Sequence, residues 1–161
     1  MPKRSAGLIM YRMRDAELQV FLVHPGGPFW ANKDAGAWSI PKGEYPETEH
    51  PLDAARREFQ EETGFNAQGH FRELGEIKQA GGKIVTAWAF EGDCDPANLM
   101  SNLCEIEWPP RSQTLIQIPE VDRGEWFPIT KAHEHILRGQ SPLLERLAIR
   151  LEGISSIGPS F

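Results

Sequence analysis

Residues 43 to 65, GEYPETEHPLDAARREFQEETGF, carry seven acidic side chains and two basic ones. The punctuation of this stretch fixes its local structure. Pro51 is tolerated at a first helical position, and Gly64 can take the left-handed conformation that closes a helix. The spacing therefore predicts a helix that begins near His50–Pro51 and stops at Thr63–Gly64. At about 100° per residue, Leu52, Ala55 and Phe59 share one stripe and face a core. Glu58, Glu61 and Glu62, at i, i+3 and i+4, share the neighbouring stripe, so three carboxylates are expected to point into one small volume.

Such a cluster has two readings. On an exposed helix, like-charge pairs at this spacing cost only about 0.2–0.5 kcal/mol each, so a solvated acidic face is physically acceptable. The other reading is a site for a hard cation. Magnesium takes oxygen ligands, keeps water, and is commonly shared between one or two carboxylates and a substrate's phosphates. A rigid helix supplies such ligands without reorganisation, and Gly43 would let backbone come close to a metal or phosphate.

The complete spacing decides between them. It reads G-x5-E-x7-R-E-F-x-E-E-x-G-F, through Gly43, Glu49, Arg57, Glu58, Phe59, Glu61, Glu62, Gly64 and Phe65. Seven fixed letters arise by chance at roughly 10⁻⁸ per window at average composition, a figure that a Glu-rich segment raises. The stretch resembles the signature of the Nudix hydrolases at every fixed letter, with Phe59 in place of the usual aliphatic residue. That resemblance implies an α/β (α+β) fold, an α/β/α sandwich with a mixed sheet and a loop–helix–loop motif. It also implies hydrolysis of a nucleoside diphosphate joined to a further group, with Mg²⁺ or Mn²⁺. By the same likeness, Glu58 and Glu62 are expected as principal metal ligands, and Glu61 as a ligand or the base that deprotonates water. The Lys42 carbonyl is a further position where family members bind metal. Glu49 and Arg57 are expected to orient the motif, since an Arg with a bidentate carboxylate partner would pin the preceding loop to the helix.

The rest of the chain agrees with such a fold. SAGLIMYRM and ELQVFLVH read as an antiparallel strand pair around the turn RDAE. PGGPFWANKDAGA is a loop, and WSIPKG a brief strand stopped by Pro41. HFRELGEIKQ and KIVTAWAFEG form a hairpin around AGG. Residues 91 to 119 read as irregular, a length that suggests a functional loop. GEWFPI is a last strand, TKAHEHIL a helix, and SPLLERLAIRL an amphipathic helix capped by Ser141, followed by a Gly/Ser tail over 153–161. All 161 residues are expected to form one domain.

Outside the motif, Glu120 in IPEVDRGEW is the candidate for a further acid, with Glu105 and Glu107 as competitors and a surface acid as the bland reading of each. Lys42, Lys83 and Arg111 are candidates for substrate phosphate. Trp30, Trp38 and Trp108 could stack on a base, although core packing suits Trp38 better. His133 and His135 lie about 200° apart on a helix and cannot share a metal there. A net charge of −6 argues against general nucleic-acid binding. The N-terminal apolar run is too short for a signal peptide or a membrane span, which makes a cytoplasmic protein the expectation. Cys94 and Cys104 read as two free thiols or, less simply, a disulfide.

The resemblance also bears on substrate. The region QAGGK has neither the proline often found past the motif in family members acting on ADP-ribose nor the tyrosine often found in those acting on dinucleoside polyphosphates. The NADH-type pattern SQPWPF is missing. The Pro-Lys-Gly lead-in is similar to that of diadenosine tetraphosphate hydrolases. The whole chain, with HPGGPFW and IPEVDRGEWF, more closely resembles bacterial predicted NTP pyrophosphohydrolases of the Nudix family. An NTP or a dinucleoside polyphosphate is the substrate expected, and a nucleotide sensor that binds without turnover is the alternative.

Overall fold

The computed structural model describes residues 3–157. Strand β1 (Arg4–Arg14) and β2 (Glu17–Pro25) pair antiparallel through a two-residue turn. Asp15 and Ala16 take φ of 52° and 62° there, the conformation that matches the twist of a tight hairpin. The short β3 (Lys42–Glu44) also pairs antiparallel with β1, but over Ser5–Gly7, where β2 has separated from it. The chain just before β3 bridges to β2 through mutual Val23 and Ser39 backbone hydrogen bonds of 2.9 Å. The segment 39–44 thus fills the fork between two diverging strands, and it carries Lys42 and Gly43.

Strands β4 (Arg72–Lys78) and β5 (Ile84–Glu91) form the expected hairpin, and β5 lies parallel to β1. With β8 (Val121–Pro128) beside β2, the six-stranded mixed sheet has the order β4-β5-β1-β2-β8, with β3 attached to β1. Alternation along β1 sends side chains to two layers. Ala6, Leu8 and Met10 face α1 (Pro51–Thr63) with its Ala54, Ala55 and Phe59. Ile9 and Tyr11 face α2 (Ile129–His135) and α3 (Ser141–Ile157), which contribute Ala132, Leu143, Leu144 and Leu147. Helices cover both faces, as the resemblance implies. Among the described residues no helix is long and apolar enough to cross a membrane, and Cys94 and Cys104 are both free thiols.

Helix α1 has the expected bounds. His50 is the N-cap, its ring nitrogen accepting from the Leu52 amide, and Gly64 closes the helix at φ 81° with its N–H on the Gln60 carbonyl. Several other expectations need correction. WSIPKG is not a strand ended by Pro41; β3 begins after it, because proline donates no hydrogen bond and sits where none is needed. Residues 91–119 are not wholly irregular. They contain a separate two-stranded sheet, β6 (Leu103–Glu107) with β7 (Leu115–Pro119), whose side chains alternate between exposed and half-buried. Its five-residue strands and long connecting turn conceal the alternation. Ser141 is no cap: it is already helical at φ −53° and ψ −38°, because a 3₁₀ turn over Arg138–Gln140 runs straight into α3. The tail expected from residue 153 begins as helix through Ile157, and 158–161 lie outside the described residues.

Phe59 is fully buried and meets Phe90 edge-to-face at 5.3 Å, fixing α1 on the sheet. Phe59→Ala is expected to lower stability by about 3–5 kcal/mol in a urea melt. A loss below about 1 kcal/mol would contradict this packing.

Candidate active site

Three carboxylates of α1 occupy three different environments. Glu58 is 8% exposed and Glu62 7%, both turned under β3, whereas the Glu61 side chain is 40% exposed. Glu58 lies directly against Gly43, where a Cβ would overlap its carboxylate. Glu62 Oε1 accepts from the Lys42 amide at 3.3 Å. Gly43 therefore makes room for a protein carboxylate, a more immediate function than the expected approach of backbone to ligand.

Arg57 organises this group. Its Nε and Nη2 donate to the two oxygens of Glu49, each at 2.9 Å, in a bidentate fork. Its Nη1 donates to Glu58 Oε1 at 2.9 Å and to Glu61 Oε1 at 3.1 Å. The Arg57 hydrogen bond holds the Glu49 carboxyl below the usual range. Glu58 and Glu61 thus meet at one Arg57 nitrogen, while Glu62 turns to the Lys42 amide.

Glu120 lies between β7 and β8 and, with Glu62, Lys42, Ser39, Ile40, Val23, Pro25 and Val121, lines a cavity of about 140 Å³. Burial, then the nearby charges of Glu120 and Glu58, push the Glu62 carboxyl well above the usual carboxylate range. Burial also raises Glu58, with the Arg57 hydrogen bond acting against it. Lys42 is half-buried, and burial lowers its ammonium against the pull of Glu62.

The remaining candidates are dispersed. Arg111 is exposed at the tip of the β6–β7 hairpin, roughly 17 Å along a five-residue strand from the hairpin's base. Glu105 is exposed on β6, and Glu107 spends both oxygens on the Arg111 and Gln113 amides of that tip. Trp38 is buried at 1% exposure and donates to Asp34, so it packs as core. Trp30 meets Phe29 edge-to-face, and Trp108 is half-buried before the hairpin tip. His133 bonds Ser141, and His135 stacks on Phe127 at 4.9 Å. Local pattern gives no hint of His24, fully buried between the Asp122 carboxylate at 2.9 Å and the Lys33 carbonyl at 2.6 Å. Asn102, which donates to Glu120 at 3.0 Å, is equally silent in the sequence. Each acts on a partner distant along the chain.

A family model described as NUDIX domain matches residues 1–147. The chain belongs to the NUDIX domain family. Among solved structures it is similar to a C. elegans Ap4A hydrolase binary complex, with 21% identity, a TM-score of 0.64 and coverage of 94% of this chain and 98% of that one. The NUDIX domain of Shewanella oneidensis NrtR complexed with ADP ribose is 21% identical, with a TM-score of 0.63 and coverage of 94% and 89%. A MutT/nudix family protein from Listeria innocua is 18% identical, with a TM-score of 0.65 and coverage of 98% and 99%. At these identities the three likenesses show the shared fold.

The contact between Gly43 and Glu58 can be tested alone. Gly43→Ala is expected to cost about 1–3 kcal/mol in urea unfolding, as overpacking does. In a Glu58→Ala background the same change should cost less than half as much. Equal costs in the two backgrounds would show that the methyl meets something other than Glu58.

Proposed function

We propose that this Nudix hydrolase cleaves the pyrophosphate linkage of a nucleoside diphosphate derivative, an NTP or a dinucleoside polyphosphate, using Mg²⁺ or Mn²⁺. The observation that carries the reading is the burial of Glu58 against Gly43 and of Glu62 in a cavity shared with Glu120, with both carboxyls driven upward by burial. Buried like charges are costly unless something neutralises them. Hard oxygen donors around a small cavity suit a divalent cation. Glu58, Glu62 and the Lys42 carbonyl would hold it, with Glu120 as a further ligand. Bound there, the cation would supply charge neutralisation for the phosphate oxygens and lower the pKa of water.

The chain's own groups account for the rest. A cavity of about 140 Å³ is too small for a nucleoside but large enough for a phosphoryl group, so the base and sugar lie outside it. Lys42 lines this cavity, and Lys42 and Lys83 are our candidates for the phosphate oxygens. Water adds to phosphorus, the anhydride P–O bond breaks, and the proton passes to a carboxylate. Glu61 is the most exposed of the three helix acids and is our choice for that base, with Glu120 the other candidate. Glu49 and Arg57 keep the loop and helix in register and take no part in bond making. The similarity to an Ap4A hydrolase and to a NUDIX domain complexed with ADP ribose supports a nucleotide as the substrate class.

A sensor that binds nucleotide without turnover is the second reading. It draws support from the Arg57 hydrogen bonds that already engage Glu58 and Glu61. Incubation with Mg²⁺ and a panel of NTPs, dinucleoside polyphosphates and nucleotide sugars separates the two. Turnover reduced at least about 100-fold in Glu62→Gln is the expected result; tight binding without turnover across the panel favours the sensor. Saturating Mn²⁺ should also raise the melting temperature by several degrees, since binding at 100 times Kd contributes about 2.7 kcal/mol. EDTA should reverse the rise, and no shift at millimolar Mn²⁺ would contradict the metal assignment.

A further inference from the structure

We infer that Asn102 is a positioning residue that fixes Glu120 relative to the glutamate helix; this rests on the function proposed above. The segment 100–102 closes the C-terminal end of α1. Where the helix stops at Thr63–Gly64, its last carbonyls lose their helical partners. The Met100 amide donates to the Thr63 carbonyl at 2.9 Å, and the Asn102 amide to the Glu61 carbonyl at 2.8 Å. Asn102 is therefore welded by its main chain to the helical turn that carries Glu61 and Glu62.

The same residue grips Glu120 twice. Its carbonyl accepts from the Glu120 amide at 3.0 Å, and its side-chain Nδ2 donates to Glu120 Oε1 at 3.0 Å. A carboxylate only accepts, so the amide must present its NH₂ to Glu120. Ser101 completes the clasp, its hydroxyl donating to the Asn102 carbonyl and accepting from the Val121 amide. The Glu120 carbonyl in turn takes the Gly26 amide at 2.9 Å. Main-chain bonds fix where Glu120 stands; the Asn102 side chain fixes where its carboxylate points. Nothing in the hydrolysis requires Asn102 to touch substrate, so it acts through Glu120, as outer groups orient metal-binding carboxylates elsewhere.

The test uses Mn²⁺ itself as the probe. Binding to the nucleotide-free chain of 161 residues is titrated by electron paramagnetic resonance for wild type, Asn102→Ala, Asn102→Leu, Glu120→Ala and the Asn102→Ala/Glu120→Ala double variant. Metal-free urea midpoints are measured on the same samples. Each Asn102 variant should bind Mn²⁺ about 10-fold more weakly with a near-native urea midpoint, because its main-chain bonds survive. The double variant should bind no more weakly than Glu120→Ala. Single effects that multiply in the double variant would overturn the inference, as would affinity within twofold of wild type in both Asn102 variants. Collapse of both urea midpoints would also overturn it, by making Asn102 a folding residue. If Glu62→Gln retains turnover, the proposed function fails. If Glu62→Gln is inactive and Asn102 acts independently of Glu120, only the present inference fails.

Discussion

The arrangement depends on how closely α1 can approach the backbone of β3. Glu58 and Glu62, one turn apart, reach the sheet only because position 43 has no side chain and because β1 and β2 separate to admit residues 39–44 between them. Phe59 and Ala55 bury the adjacent stripe of the same helix in the sheet. The packing that stabilises α1 thus also carries its two acids under β3. Rotating the helix by one residue, about 100°, would expose Phe59 and lose the seat of both carboxylates together.

That approach has an electrostatic cost, which Arg57 offsets in part. One guanidinium serves Glu49, Glu58 and Glu61, but none of its hydrogen bonds reaches Glu62. Glu62 is left with the Lys42 amide and a half-buried Lys42 side chain, facing Glu120 and Glu58. The protein therefore concentrates uncompensated negative charge at one point beside a small cavity. A structural ion-pair network would distribute its cations more evenly. This imbalance supports the proposed site over a merely acidic surface.

The helix, its caps and the Glu49–Arg57 fork could be read from the chain because all depend on contacts within about twenty residues. The β1–β2 and β4–β5 hairpins were legible for the same reason, through alternation and turn residues. The β6–β7 hairpin was not. Its strands are five residues each, half-exposed, and separated by a turn rich in proline. The different partners of the three helix acids were also hidden, since helical periodicity gives directions but not which carboxylates Arg57 will engage. Asn102 and His24 were invisible because no short motif encodes their pairing with Glu120 and Asp122.

The central claim is that Glu58 and Glu62 form the seat of a divalent cation. A crystal soaked in Mn²⁺ and measured for anomalous scattering tests it most directly. The account predicts a peak between these two carboxylates, beside Lys42 and within reach of Glu120. A well-occupied Mn²⁺ elsewhere, with Glu58 and Glu62 still turned under β3 and unligated, would contradict it.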